Sequence, residues 1–136
     1  IATGAVLEYA LQKLKIKLVV ICGHYDCGGV QGVFEERTGN LQLISTFLRP
    51  PLHAVEKALA KKKIKVSHEV MVRLVVEANV LSQMKNATSY SFVKAALKNG
   101  VVMVGLVYDS KSGRLFDGFP ELSKRGLLES VGEFLN

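Results

Sequence analysis

The feature that most constrains this chain is an apolar run that ends in a histidine and a cysteine. Residues 17–22 are rich in β-branched side chains, which is typical of a strand covered on both faces. Gly23 ends this strand, and His24 and Cys27 follow on the turn before a glycine pair. An imidazole and a thiol three positions apart suit one Zn²⁺ ion. They are half of a metal site, because tetrahedral zinc needs three or four protein ligands and no other segment offers an obvious third.

The size and composition of the chain are those of one domain. Its 136 residues are 49% apolar, enough to form a substantial core, so we expect a single soluble domain over residues 1–136. The apolar runs are too short for a membrane span and no leader pattern is visible, so we expect no membrane partner. Two cysteines make no disulfide framework, which favours a reducing cytoplasmic compartment. A location in an organelle is the alternative, since a targeting segment would lie outside these residues.

The net charge of +6 raises the question of nucleic-acid binding. The lysines, however, are concentrated where predicted helices end, and there they complement the helix dipole and solvate the surface. We therefore expect no nucleic-acid partner. The residues concerned are Lys13, Lys15, Lys17, Lys61, Lys62, Lys63 and Lys65.

Helical and strand patterns alternate along the chain without internal repeats. This order predicts an α/β fold of three layers, with a mostly parallel sheet flanked by helices and a short antiparallel edge strand near the C-terminus. The predicted strands are 17–22, 101–108 and 114–116. The predicted helices are 2–14, 28–34, 41–48, 51–62, one capped by Ser67, one capped by Ser89 that ends at residues 99–100, and 123–135. Pro50 and Pro51 are expected to separate the third helix from the fourth.

Several motifs resemble those of the second half of a β-class carbonic anhydrase. They occur in the family's order and cover nearly the whole chain, which is far more specific than His-x-x-Cys alone. The domain therefore resembles a truncated β-carbonic anhydrase, about the C-terminal half to two-thirds of one. The matching segments are AVLEYA at 5–10, CGHYDCGGV at 22–30, FLRP at 47–50, EANVL at 77–81, GLVYD at 105–109 and GRL at 113–115.

This resemblance implies a zinc lyase that interconverts carbon dioxide and bicarbonate. It implies Zn²⁺ as cofactor, His24 and Cys27 as metal ligands, and a homodimer or higher oligomer. The family's Cys-x-Asp-Ser-Arg segment, which supplies the first thiolate and an aspartate–arginine pair, is absent from this chain, and no catalytic residue is assigned here.

Three interpretations of the function stay open. The missing thiolate could be supplied in cis or by another polypeptide, which would complete the enzyme. Alternatively, the chain is a catalytically incomplete member of the family that serves as a binding or assembly subunit. A third hypothesis is a redox thiol at Cys27, activated by the neighbouring His24.

The other candidate ligands have simpler interpretations. Cys22 is expected to be a buried core thiol, because free cysteine is usually buried. Asp26 is expected to be solvated rather than a ligand. His53 and His68 have no partner at ligand spacing, so we expect surface or capping roles for both.

Two further expectations concern the strands. Tyr108 is expected to pack, and Asp109 could pair with Arg114 across the turn, contributing about 0 to 1 kcal/mol as an exposed pair. In the family the strand at 18–22 lies beside the first strand, which is absent here. Its apolar edge would then be unpaired, so we expect a second copy of the chain, a separate N-terminal fragment or upstream residues to cover it.

Overall fold

A small sheet forms one side of the molecule. The computed structural model describes all residues, 1–136. The strands are β1 (Leu18–His24), β2 (Val102–Asp109) and β3 (Arg114–Phe116), in the order β1-β2-β3. β1 and β2 are parallel, and β3 is antiparallel to β2. The predicted α/β class, the parallel pair and the antiparallel edge strand are therefore confirmed.

Seven helices accompany the sheet. The predicted helices at 2–14 and 28–34 are confirmed, the first as an α-helix that continues as a π-helical segment, Tyr9–Lys13. None of the seven has both the length and the hydropathy that crossing a membrane requires. They are α1 (Ala2–Glu8), α2 (Gly28–Phe34), α3 (Gln42–Lys62), α4 (His68–Thr88), α5 (Ser91–Lys98), α6 (Pro120–Lys124) and α7 (Leu128–Phe134).

The predicted break at Pro50 and Pro51 is wrong, because α3 runs through both prolines. Each internal proline removes a backbone hydrogen bond and costs a helix about 3 kcal/mol or more in isolation. Here the side chains of Leu48, Leu52 and Val55 are buried along one side of α3. Tertiary packing of this apolar side against α4 therefore outweighs the local preference of the prolines.

Two predictions about helix ends are also corrected. Ser67 caps α4 as expected, its Oγ accepting a hydrogen bond from the N–H of Val70 at 3.2 Å. Ser89 does not begin α5 but ends α4, because its hydroxyl donates to the carbonyl of Asn86 at 2.6 Å. The single helix predicted over 123–135 is two, α6 and α7, separated at Gly126, whose φ of +66° is one that glycine adopts readily.

The helices lie on one face of the sheet. Side chains alternate between the faces of a strand, and Val19 of β1 and Val107 of β2 are buried towards the helices. α4 contacts both β1 and β2, while α3 and α7 pack further out on α4. Leu74, Val75 and Ala78 of α4 are at most 1% exposed. The core therefore lies around α4, between the sheet and α3.

The opposite face of the sheet has no helix on it. We call it the outer face, and its side chains follow from the strand register. Its members are Leu18, Val20, Cys22 and His24 of β1, Val102, Val104, Leu106 and Tyr108 of β2, and Leu115 of β3. Leu18, Val20, Val102, Tyr108 and Leu115 are 40% to 59% exposed. The expectations that β1 is covered on both faces and that Tyr108 packs are therefore wrong within this chain.

The free edge of β1 is the second uncovered feature. β1 pairs only with β2, so the expectation of an unpaired apolar edge is confirmed. Beside this edge lies an open groove of about 860 Å³, lined mostly by apolar side chains such as Val6, Val20 and Phe47. Backbone N–H and C=O groups at such an edge are available to pair with another strand.

Candidate metal centre

His24 and Cys27 lie at opposite ends of a short turn at the carboxyl end of β1. His24 is the last residue of the strand, and Cys27 is the residue before α2. The backbone N–H of Tyr25 donates to the carbonyl of Tyr108 at 2.9 Å, which extends the β1–β2 pairing into the turn. Asp26 then adopts a φ of +54°, a left-handed conformation that aspartate tolerates better than most residues. The turn therefore places an imidazole and a thiol at the same end of the sheet.

The imidazole of His24 is held in one tautomer. Its Nδ1 lies 2.9 Å from the backbone carbonyl oxygen of Tyr25. A carbonyl oxygen can only accept a hydrogen bond, so Nδ1 is the donor, and in the neutral imidazole Nε2 then carries the lone pair that a metal ion requires. A hydrogen bond of this kind on the far nitrogen is how metal-binding histidines are commonly oriented. Because His24 is exposed, Nε2 is also accessible to a ligand.

Cys27 is a free, half-buried thiol. Its neighbour Gly29 leaves room for it, since a Cβ at Gly29 would lie 3.7 Å from Cys27 Sγ and 3.5 Å from a methyl group of Leu48. An imidazole nitrogen and a thiol sulfur are both donors that Zn²⁺ prefers, so the two side chains fit zinc in their chemistry. They are two donors of the three or four required: nowhere does the structure bring three His, Cys, Asp or Glu side chains together as a metal site.

The other candidate side chains lie apart from this turn or are engaged elsewhere. Asp26 is exposed and its carboxylate lies 3.6 Å from Lys111 Nζ, as expected of a solvated group. His53 is exposed on α3, which confirms a surface role. His68 begins α4, where its Nε2 lies 3.0 Å from a carboxylate oxygen of Glu35. Cys22 is exposed on the outer face, so the predicted burial is wrong, because no helix covers that face.

Asp109 and Arg114 are register partners across β2 and β3 but form no ion pair with each other. The Asp109 carboxylate instead accepts hydrogen bonds from the hydroxyl of Ser112 at 2.8 Å and from the N–H of Lys111 at 3.2 Å. The Ser112 hydrogen bond is the main reason that the pKa of Asp109 lies below its ordinary value. The carboxylate therefore organises its own turn.

Behind the turn lies a buried network that the sequence did not reveal. Tyr25 is 2% exposed, and its hydroxyl donates to Oε2 of Glu77 on α4 at 2.6 Å. The guanidinium of Arg73 lies over the tyrosine ring, 3.9 Å from its centroid. Burial, and then the hydrogen bond to Glu77, raise the pKa of Tyr25, so its hydroxyl stays a proton donor at neutral pH. The turn is thus anchored to α4 between its two candidate ligands.

Glu77 is fully buried, and its carboxylate also accepts hydrogen bonds from backbone N–H groups at the start of α6. The N–H of Glu121 donates to its Oε2 at 3.1 Å, and the N–H of Leu122 donates to its Oε1 at 3.0 Å. Burial raises the pKa of Glu77, while these bonds and that from Tyr25 act in the opposite direction. The sequence signals were a carboxylate inside the apolar stripe of α4 and its place in the EANVL motif at 77–81, and neither of them identifies the groups that Glu77 contacts.

Solved structures show which class of protein has this fold. The β-carbonic anhydrase CafA of Aspergillus fumigatus matches with a TM-score of 0.73 and 32% identity, over 98% of this chain and 63% of that one. A tetrameric β-carbonic anhydrase of Sordaria macrospora matches with a TM-score of 0.72 and 27% identity, over 86% of this chain and 59% of that one. The fold is therefore that of the β class of carbonic anhydrases.

The family follows from the sequence comparison. The family model described as carbonic anhydrase matches residues 1–115, so this chain belongs to the carbonic anhydrase family, in its β class. The carbonic anhydrase of Synechococcus elongatus is 29% identical over 115 residues, which are 82% of this chain and 42% of that protein. The chain thus spans less than half the length of that relative.

Proposed function

We propose that this chain contributes His24 and Cys27 to a zinc site that converts carbon dioxide and water to bicarbonate and a proton. The observation that carries the proposal is the orientation of His24, whose Nδ1 is held by the Tyr25 carbonyl so that Nε2 is free, in a chain that belongs to the carbonic anhydrase family. Bound Zn²⁺ would supply a hydroxide nucleophile at neutral pH by lowering the pKa of its water to roughly 7. His24 and Cys27 would hold the ion, and Asp26 would stay with Lys111.

The remaining ligands would come from polypeptide outside these 136 residues. This chain spans only 42% of the Synechococcus elongatus relative, and its two donors are fewer than tetrahedral zinc requires. Further residues of the same polypeptide or another chain would complete the coordination. The missing donors also favour a second candidate function, that of a non-catalytic binding or assembly subunit. A redox role for Cys27 stays a further prediction.

Zinc content and activity test the proposal together. We expect the assembled protein to retain about one zinc per chain through gel filtration, and His24→Ala and Cys27→Ser each to lose it. Carbon dioxide hydration should fall about a hundredfold or more, since even residues behind a metal ligand are worth 10- to 100-fold. His53→Ala and Cys22→Ser are the matched controls and should keep their zinc. A wild-type protein without zinc would favour the assembly subunit, and zinc retained in both ligand variants would show that His24 and Cys27 are not its ligands.

We further propose that the outer face and the free edge of β1 are covered in a homodimer or higher oligomer. Exposed apolar side chains on that face and an unpaired strand edge support this, because apolar patches and free edges are usually covered by a partner. The Sordaria macrospora relative is described as tetrameric.

A cytoplasmic location is likewise a proposal, supported by two cysteines that form no disulfide. Fractionation of cells that produce the protein, followed by immunoblotting, would test it.

A further inference from the structure

One buried carboxylate joins the His24–Cys27 turn to a distant part of the chain. Glu77 accepts hydrogen bonds from the Tyr25 hydroxyl and from the backbone N–H groups of Glu121 and Leu122. Tyr25 lies 52 positions from Glu77 along the chain, and Glu121 and Leu122 lie 44 and 45 positions from it. The start of α6 and the turn therefore share the two oxygens of one side chain on α4.

We propose that Glu77 is a positioning residue for the metal site, acting through Tyr25 to hold the turn in the conformation that presents His24 and Cys27. The proposal rests on the proposed function in naming the metal site. The carboxylate suits this role because it accepts all three donors without rotating, whereas an amide would place an NH₂ group against at least one of them.

The geometry leaves the turn little freedom while this contact persists. The Tyr25 ring lies against the Arg73 guanidinium on one side, and the Phe116 ring centroid is 6.2 Å away. The hydroxyl is thereby aimed at Glu77, in a region where no buried side-chain polar atom lacks a hydrogen-bond partner. The candidate ligands His24 and Cys27 flank Tyr25 within two positions, so movement of its side chain moves both. Without this hydrogen bond the Tyr25 side chain is held only by the packing of its ring.

Two variants test the contact between Tyr25 and Glu77 separately from the stability of the whole fold. Tyr25→Phe removes the hydroxyl but keeps the ring and leaves Glu77 bonded to α6, and Glu77→Gln disturbs both sets of contacts. Tyr9→Phe and Glu129→Gln make the same chemical changes at exposed positions. Val131→Ala removes buried volume from α7, outside the turn and the Glu77 contacts, and serves as the control for a general loss of stability.

The first measurement is the alkylation rate of Cys27 in the metal-free chain, with Cys22 as an internal reference read by mass spectrometry. We expect Tyr25→Phe and Glu77→Gln to raise the Cys27 rate about tenfold, as the loss of one charge-assisted hydrogen bond does to a local opening equilibrium. The Cys22 rate and the rates in Tyr9→Phe, Glu129→Gln and Val131→Ala should stay near wild type. An unchanged Cys27 rate in Tyr25→Phe, or an equal rise in Val131→Ala, would overturn the proposal.

The second measurement is the zinc dissociation constant, by competition with a chromophoric chelator at a temperature where circular dichroism shows each variant folded. Tyr25→Phe and Glu77→Gln should each weaken binding by about tenfold or more, and the double variant should be no weaker than the weaker-binding single, because both remove the same contact. Fully additive losses would overturn the proposal. If wild type binds no zinc, the proposed function fails, while the alkylation rates still decide whether Glu77 positions the turn.

Discussion

At the scale of single residues, the packing of α4 on the sheet depends on a position that has no room for a side chain larger than that of glycine. Gly105 lies in the middle of β2 on the face that meets α4. A Cβ there would lie 2.6 Å from Met84 Sδ and 2.9 Å from both Phe119 Cζ and a methyl group of Val80. Met84 and Val80 of α4 and Phe119, the residue before α6, all lie closer to this position than a Cβ allows, so all three would have to shift. The close approach of α4 to the sheet therefore requires glycine.

Replacing this glycine should destabilise the protein. We expect Gly105→Ala to lower the free energy of unfolding by about 1 to 3 kcal/mol, the usual effect of an extra methyl group in a packed core. Urea titration followed by circular dichroism would measure it. Gly132→Ala is the control, since a Cβ there meets no atom within 4 Å, and within helix α7 alanine should be neutral or stabilising. Equal urea midpoints of unfolding for Gly105→Ala and wild type would show that this position has room for a methyl group.

At the scale of elements, the helix α6 is too short to be stable alone and is stabilised by the ion pairs of Glu121. Glu121 is 8% exposed, and its carboxylate bonds Arg125 and lies 3.3 Å from both Arg73 Nε and Lys124 Nζ. Burial opposes ionisation of this carboxyl, but the hydrogen bonds from Arg125 and Lys124 outweigh it and hold the pKa of Glu121 below its ordinary value of 4.5. Five residues thus remain helical because α4 and α6 share these contacts.

This ion pairing has a pH dependence with a defined sign. A carboxyl with a depressed pKa in the folded state stabilises the fold above its unfolded pKa of about 4.5, and the stabilisation is lost as the pH falls through the folded value. Glu121→Gln should therefore cost about 1.5 to 3 kcal/mol at pH 7.

The difference in free energy of unfolding between wild type and Glu121→Gln should shrink below about pH 4.5, measured by urea unfolding at several pH values. Glu129→Gln, at an exposed position on α7, should show neither effect. A difference that stays constant from pH 7 to pH 3 would contradict the assignment.

At the scale of the whole molecule, helices cover one face of the sheet and leave the other exposed. The outer face carries apolar side chains on all three strands, and the edge of β1 borders an apolar groove of about 860 Å³. His24 lies on this same outer face by the strand register, so whatever covers the face also approaches the proposed metal site. Assembly and completion of the site would then be one event.

A charge on the outer face should therefore disrupt assembly. We expect wild type to show a solution mass of at least two chains by light scattering, and Val20→Lys to shift it towards one chain of 14.9 kDa. Val20 is 44% exposed, so lysine should leave the fold intact by circular dichroism. Glu129→Lys, on an exposed part of α7, is the control and should stay assembled. A monomeric wild-type chain, or an assembled Val20→Lys variant, would show that this face is not the interface.

Local patterns in the sequence predict several of the helices, strands and turns of this protein. The apolar run before Gly23 predicted β1, the Asp109–Gly113 segment predicted the turn into β3, and Ser67 predicted the start of α4, because strand composition, turn residues and helix caps act over a few positions. The spacing of His24 and Cys27 along one turn predicted the candidate ligand pair in the same way, whereas the resemblance to β-class carbonic anhydrases rests on several motifs between residues 5 and 115.

Only the tertiary structure decided the features that depend on distant contacts. α3 continues through Pro50 and Pro51 because its buried side packs on α4, and residues 120–134 split into two helices, of which α6 begins on the carboxylate of Glu77. The exposure of Cys22 and Tyr108 followed from which face of the sheet the helices occupy. Periodicity shows that a side chain is apolar or buried, but its partner is fixed by packing between elements tens of residues apart.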